Sequence, residues 1–420
     1  HLSLRRQRQM CIRDSVVRVP AEFAAIYRRK GYWEDKSLAS QFRNVFQRYS
    51  ARIAVIDGGI TLTYGQLDSA SDNLALNLLD LGLQPLDRVV VQLPNTHEFV
   101  ILYFALQKIG AIPVLALPAH RYLEINQFVQ ISGAVACVTS DQAKNINFTE
   151  MIRRIQLNHS HLRLHLVLGD AGFGSVSLRS LIDQKAHRAR SSLTDISIDP
   201  DDPAVFLLSG GTTGIPKLIP RTHNDYFYNS RMASSVCAIE PESCLLLVLP
   251  IAHNLPLACP GLQGFLLAGA RIVLSRESSA TGVFSMVQEH RVTHIHLVPA
   301  LLIRWLHSAE LQQFDLSSLR VLQSGGQRLQ PETRAMARAL LPHVFIQENF
   351  GMAEGVLMFV RFDDPEDVRN ETVGRPICAD DEVRIVDDDD KEVPIGQVGE
   401  FCCRGPYTLR GYYNAAEHNK

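Results

Sequence analysis

The sequence predicts an α/β fold, with helix-covered parallel sheets followed by a smaller β-rich unit. Three observations carry this. Strand-length apolar runs alternate with helical patterns from Thr61 to Gln323. Several runs are continuously apolar, as in strands buried on both faces. After Gly351 the pattern changes to short runs split by Asp, Gly and Pro. A chain of 420 residues has room for roughly two to four structural units.

Leu67, Ala70, Leu74, Leu78 and Leu81 fall on one helical face, and Gly82 is placed to end that helix. Residues 87–93 (DRVVVQL) read as a buried parallel strand. A helix over about 96–109 and a strand over 112–117 follow. The rhythm continues through strands at 134–139, 164–168, 204–209, 245–249, 271–274, 294–298 and 320–323. Beyond Gly351, residues 382–386, 392–393 and 399–404 read as short antiparallel strands of a small barrel or sheet. Residues 387–390 (DDDD) read as a solvated hairpin turn.

Composition excludes several classes. Hydrophobic residues make up 46% and charged residues 20%, which rules out global disorder. Lys and Arg number 42 against 44 Asp and Glu, so no basic field points to nucleic acid or an anionic membrane. Apolar stretches such as 245–250 and 262–268 fall far short of the roughly 20 residues of a membrane span. Eight cysteines without a CxxC pair read as reduced, buried thiols of a cytoplasmic protein. His294 and His296 share one face of a strand, and without a third ligand nearby they read as packed histidines rather than a metal pair.

The first fifteen residues stand apart. Residues 1–15 carry four arginines and one aspartate and lack the apolar run of a secretion signal. Residues 10–15 (MCIRDS) resemble a translated sequencing-library adapter, so residues 1–15 are expected to be non-native. The expected division is then an α/β core over 16–350 and a β-rich barrel-like unit over 351–420, cut before a further domain.

Residues 205–222 (VFLLSGGTTGIPKLIPRT) are the most informative segment. An apolar strand runs into a loop whose glycines let the backbone approach a phosphate closely. Hydroxyls and backbone N–H groups can bind phosphoryl oxygens, and Lys217 adds a charge. The Walker loop GxxxxGK[ST] does not match, and Pro216 prevents a helix from starting where that loop requires one. A plain glycine-rich hairpin is the competing reading. The hydroxyls and lysine among three glycines weigh against it.

Residues 209–217 resemble the phosphate loop of the adenylate-forming superfamily, and LLSGGTTGIPKLIPRTHNDY is similar to the aryl-acid–AMP ligases of siderophore biosynthesis. The resemblance runs from about Pro20 to the end of the chain. Residues 250–261 (PIAHNLPLACPG) resemble the aryl-acid pocket motif. Residues 323–327 (QSGGQ) resemble the loop along the adenine, and 349–354 (NFGMAE) the motif that holds adenine and Mg2+. Residues 372–376 and 399–413 resemble barrel motifs near a domain boundary. The fold this implies is the large N-terminal domain of that superfamily: two layered αβαβα subdomains with parallel sheets and a barrel-like subdomain.

The resemblance implies an activity. A carboxylate attacks ATP to give an acyl-adenylate and pyrophosphate, with ATP and Mg2+ as cofactors. Catalysis is then mostly positioning and charge stabilisation at the α-phosphate. Ser209, Gly210, Gly211, Thr212, Thr213, Gly214 and Lys217 would bind phosphates. Gly325, Gly326, Asn349, Phe350, Gly351, Met352 and Ala353 would hold the adenine, and Glu354 would bind the metal. Phe350 stands where the superfamily often has Tyr, so stacking survives without a phenolic hydrogen bond. Lys217, His253 and Glu354 are the expected catalytic residues. The acyl group would pass to a phosphopantetheinylated aryl carrier protein, using a small C-terminal domain whose lysine does not lie in this sequence.

His253, Asn254, Leu255, Cys259 and Leu357 are the expected substrate-binding residues. Asn254 would bond an ortho hydroxyl. Cys259 and Leu357 are similar to salicylate-activating members, because a thiol is a weak donor and leucine leaves less room for a second hydroxyl. Both would otherwise read as plain core residues. Leu255 departs from the family's aromatic residue, which leaves another aryl acid open. Salicylate is therefore expected first and 2,3-dihydroxybenzoate next. An acyl- or aryl-CoA ligase of the same fold and an inactive fragment that only binds nucleotide are the alternatives.

Overall fold

The computed structural model describes residues 12–143, 146–209 and 216–419. Two large sheets organise it. In the first, strands lie in the order Leu218–Thr222, Pro203–Leu208, Ile112–Leu115, Arg88–Gln92, Ala136–Ser140, Leu164–Leu168 and Val176–Ser177. All neighbours are parallel except Pro203–Leu208 with Leu218–Thr222. The second sheet runs Arg375–Pro376, Gly355–Phe359, Phe345–Met352, Val321–Ser324, His294–Leu297, Cys244–Leu247, Arg271–Leu274, Ile53–Asp57 and Ile60–Thr63. Its inner pairs are parallel and its outer pairs antiparallel.

Side chains alternate across a strand, so each sheet feeds two cores. Val89, Val91, Ala136 and Val138 from the first sheet meet Leu245, Leu247, Ile272 and Leu274 from the second in one central core. Helices Leu38–Arg48, Tyr64–Asp80, His97–Ile109 and His223–Val236 contribute to that core. The intervening residues face outward. Val90 and Cys137 meet helices Tyr122–Ser132 and Phe148–Asn158. Cys244 and Leu246 meet helices Ala280–His290 and Pro299–Leu306. The stack is therefore α, sheet, α, sheet, α. Every residue of His97–Ile109 except the first is buried, as expected for a helix covered on all sides.

The expected strands and helices recur with ends that coincide or shift by at most two residues. Thr96 caps its helix by accepting from the Phe99 N–H, and Gly82 adopts φ +85° after the helix Tyr64–Asp80. His294 and His296 both pack edge-on to Phe265, and burial lowers their pKa values to about 4 and about 3.

Three expectations change. The boundary at Gly351 falls inside strand Phe345–Met352, because Gly355–Phe359 and Arg375–Pro376 extend the second sheet. Beyond them, among the described residues, only the two-stranded ribbon Glu382–Val386 with Glu400–Arg404 forms, and residues 392–393 give one bridge, Val386 to Glu392. Cys402 is exposed rather than buried, since the ribbon turns alternate residues outward; the other described cysteines are unbridged. Residues 12–15 lie against the fold: Ile12 is buried, Arg13 donates to Asp202 at 2.8 and 2.7 Å, and Ser15 O accepts from Asn414 N–H.

Candidate active site

Parallel strands present their C-terminal ends on one edge, where open α/β sheets place ligand sites. The predicted residues that are described lie at or just beyond the ends of strands Pro203–Leu208, Cys244–Leu247, Val321–Ser324 and Phe345–Met352.

Gly210, Gly211, Thr212, Thr213 and Gly214 lie outside the described residues. The base of their loop is defined. Ser209 N–H donates to Lys217 O, and Lys217 N–H donates to Ser209 Oγ, both at 3.0 Å. The segment thus joins two antiparallel strands, and a strand rather than a helix follows Lys217. That is not the strand–loop–helix order of a Walker loop.

Lys217 and Glu354 meet through a residue the sequence reading did not single out. The Lys217 ammonium lies 4.7 Å from the Tyr412 ring centre, and the Tyr412 hydroxyl donates to Glu354 Oε1 at 3.1 Å. No ion pair reaches Glu354 among the described residues. Tyr412 arrives because the Tyr413 N–H bonds Leu218 O and the Leu409 N–H bonds Glu354 O.

Gly325 and Asn349, both expected on the adenine side, lie against each other. A Cβ on Gly325 would lie 2.2 Å from Asn349 Oδ1, so any larger residue there would displace the Asn349 amide. Asn349 Nδ2 and Ser324 Oγ are buried there without a hydrogen-bond partner. Orphaned buried polar atoms need an explanation, and a nucleotide base supplies both donors and acceptors. Gly326 follows with φ +81°. Phe350 is half-buried and meets Phe401 edge-on at 5.6 Å. Met352 pairs with Gly355 across the hairpin, and Ala353 O accepts from Arg221. Gln323 turns inward to Gln347 and Cys237, into the core.

The residues expected to bind the acid are held by helix His223–Val236. Thr222 and Asp225 form a reciprocal capping box that starts it. Tyr226, Asn229 and Ser230 then share one face, and all are buried. The Tyr226 hydroxyl donates to Asn254 Oδ1 at 3.0 Å, leaving the Asn254 amide N–H groups as donors. Asn229 Nδ2 donates to Ala258 O at 2.8 Å and to Cys259 Sγ at 3.2 Å. Burial raises the Cys259 pKa to about 11, so it is a neutral thiol. Leu357 shares the central core with Cys259, and Leu255 packs at its margin. His253 reaches solvent, yet the protein around it holds its pKa below the ordinary imidazole value. Gly261 closes the segment: a Cβ there would lie 2.2 Å from Pro256 O.

Arg221 ties the two sides together. It is 1% exposed and donates to Asp225, Ala353 O and Tyr407 O. The Tyr407 hydroxyl accepts from Leu357 N–H at 3.0 Å and donates to Asp381 at 2.5 Å. Sequence reading missed Tyr226, Asn229, Arg221, Tyr407 and Tyr412. The helical spacing of 226, 229 and 230 was a readable signal. The others depend on contacts across more than a hundred residues.

An AMP-binding enzyme family model matches residues 42–413. The chain belongs to that family of adenylate-forming enzymes. It is 42% identical over 411 residues to the salicylyl-CoA synthase / salicylate adenylyltransferase of a Streptomyces species, covering 97% of this chain and 74% of the relative. It is 42% identical over 407 residues to the salicyl-AMP ligase / salicyl-S-ArCP synthetase of Mycobacterium tuberculosis, covering 96% and 71%. The apo structure of Mycobacterium smegmatis MbtA superimposes with a TM-score of 0.89 at 42% identity, covering 97% of this chain and 74% of that one.

Proposed function

We propose that this chain adenylates an aromatic carboxylic acid with ATP, salicylate before 2,3-dihydroxybenzoate, in the manner of siderophore biosynthesis. A carboxylate oxygen bonds the α-phosphorus as the bond to the pyrophosphate oxygen breaks, and pyrophosphate leaves with that electron pair. No proton moves, so the residues position and neutralise. The observation that carries the reading is the Tyr226–Asn254 hydrogen bond. It fixes one amide donor beside an apolar wall that includes Cys259 and Leu357. That wall suits an aromatic acid with an ortho hydroxyl.

In this reading Asn254 binds the ortho hydroxyl, Lys217 the phosphates, and Asn349 with Phe350 the adenine. Mg2+ neutralises phosphate charge when bound, and Glu354 is the residue that would hold it. The acceptor is a phosphopantetheinylated aryl carrier protein, as the mycobacterial relative's name states for that protein. The Streptomyces relative's name supports coenzyme A as a second acceptor reading. Neither acceptor requires a membrane or nucleic acid, no described helix is long and apolar enough to cross a membrane, and we place the activity in the cytoplasm.

The test is calorimetry with two non-hydrolysable adenylate mimics, one salicyl and one 2,3-dihydroxybenzoyl. The salicyl mimic is expected to bind more tightly by about ten- to a hundredfold, since an unpaired buried hydroxyl costs about 1–3 kcal/mol. The reverse order would move the substrate to the dihydroxy acid. Binding of neither by the folded chain overturns the reading.

A further inference from the structure

We propose that Asn95 is a positioning residue for the acid side of the site, setting the path of the loop that delivers His253 and Asn254. The inference rests on the acid-adenylation reading above. Asn95 comes from the first sheet, three residues beyond strand Arg88–Gln92, and is buried. Its side chain crosses to the end of the second sheet. There Nδ2 donates to Leu247 O at 3.1 Å, Leu249 O at 3.0 Å and Ser275 O at 3.0 Å. Its Oδ1 accepts from Ile251 N–H at 2.9 Å.

Leu247 and Ser275 stand at the ends of the parallel strands Cys244–Leu247 and Arg271–Leu274, where backbone groups run out of neighbours. One amide satisfies them and grips the departing loop at Leu249 and Ile251. Two residues later a turn from Pro250 O to His253 N–H leads into helix Asn254–Ala258. An amide alone supplies both donors and an acceptor at that length. Its removal takes the side-chain donor from the buried Ser275 O and from Leu249 O, leaves Leu247 O only its bond from Ser275 N–H, and takes the acceptor from Ile251 N–H, all in the segment that leads to Asn254. Thr96, the next residue, caps its own helix through Phe99 and touches none of these groups.

Calorimetry of the salicyl-adenylate mimic and of ATP on Asn95→Ala, Asn95→Asp and Thr96→Ala tests this. Asn95→Ala should weaken the mimic about tenfold or more and leave ATP within twofold. Asn95→Asp keeps the acceptor for Ile251 but turns an oxygen toward the carbonyls, so its loss should be at least as large. Thr96→Ala should lower the melting temperature with both affinities unchanged, the signature of a purely structural role. Asn95→Ala that behaves like Thr96→Ala, or that weakens ATP and mimic equally, overturns the proposal. Should Asn95→Ala not fold, Asn95→Ser carries the same test: an intermediate, mimic-only loss supports it, and unchanged mimic binding overturns it. A wild-type chain that binds ATP but no mimic sinks the acid-adenylation reading, and this one with it.

Discussion

The proposed acid side and the proposed nucleotide side of the site are built on different terms. On the acid side the Tyr226, Asn229 and Ser230 side chains all have partners, and helix His223–Val236 fixes them from behind. On the nucleotide side Asn349 Nδ2 and Ser324 Oγ are orphaned, and Lys217 rests on a tyrosine ring. The contrast suits the proposed ligands. A small, rigid acid needs a shaped wall whose cost of ordering is met during folding. A triphosphate brings its own charge and must later release pyrophosphate, so its residues keep partners that are easily exchanged.

Changes on the two sides should therefore separate. The largest effect is expected from Lys217→Ala or Glu354→Gln. Either should slow ATP–pyrophosphate exchange about a hundredfold or more, while salicylate binding measured without nucleotide stays within a few-fold. A matching loss of salicylate binding would break the comparison. Arg221 joins both sides, so its removal should be felt as stability. Arg221→Met leaves Asp225 buried without its cation and should cost about 3–5 kcal/mol in denaturant unfolding. A loss below about 1 kcal/mol would mean that the network is dispensable.

Tyr226→Phe sharpens the acid side alone. It removes the hydroxyl that orients Asn254, and about 1–2 kcal/mol corresponds to roughly five- to thirtyfold weaker binding of the salicyl mimic, with ATP unaffected. The smallest effect concerns pH. Burial raises the Asp381 pKa to about 6, against the lowering by hydrogen bonds from Tyr407 and the Cys378 N–H. A carboxyl whose folded pKa lies above its unfolded value favours folding below pH 4, and that contribution is lost as pH rises through 6. Asp381→Asn keeps the Tyr407 contact without the charge. It should flatten the melting-temperature change between pH 4 and 6, read by thermal unfolding at fixed salt.

The alternation of apolar runs was enough to place the strands, because a parallel strand buried on both faces must be apolar along its length. It could not say which face met which helix, since Val89 and Val90 look alike in sequence but belong to different cores. The change of pattern after Gly351 was real, yet the first strands beyond it joined the second sheet. Hydrogen bonding along an open edge is a tertiary opportunity that local composition does not reveal. Asn254, Cys259, Asn349 and Glu354 could be singled out in advance because the proposal for each depends on residue type and local spacing. Arg221, Tyr407, Tyr412 and Asn95 could not. Each acts through a partner distant in the chain, and only the packing of two sheets against a shared helical layer decides which polar groups meet. The sequence by itself thus determined the layers and the chemistry at the strand ends. The tertiary structure decided which side chains hold that chemistry in place, because a buried polar group is defined by the partner that satisfies it.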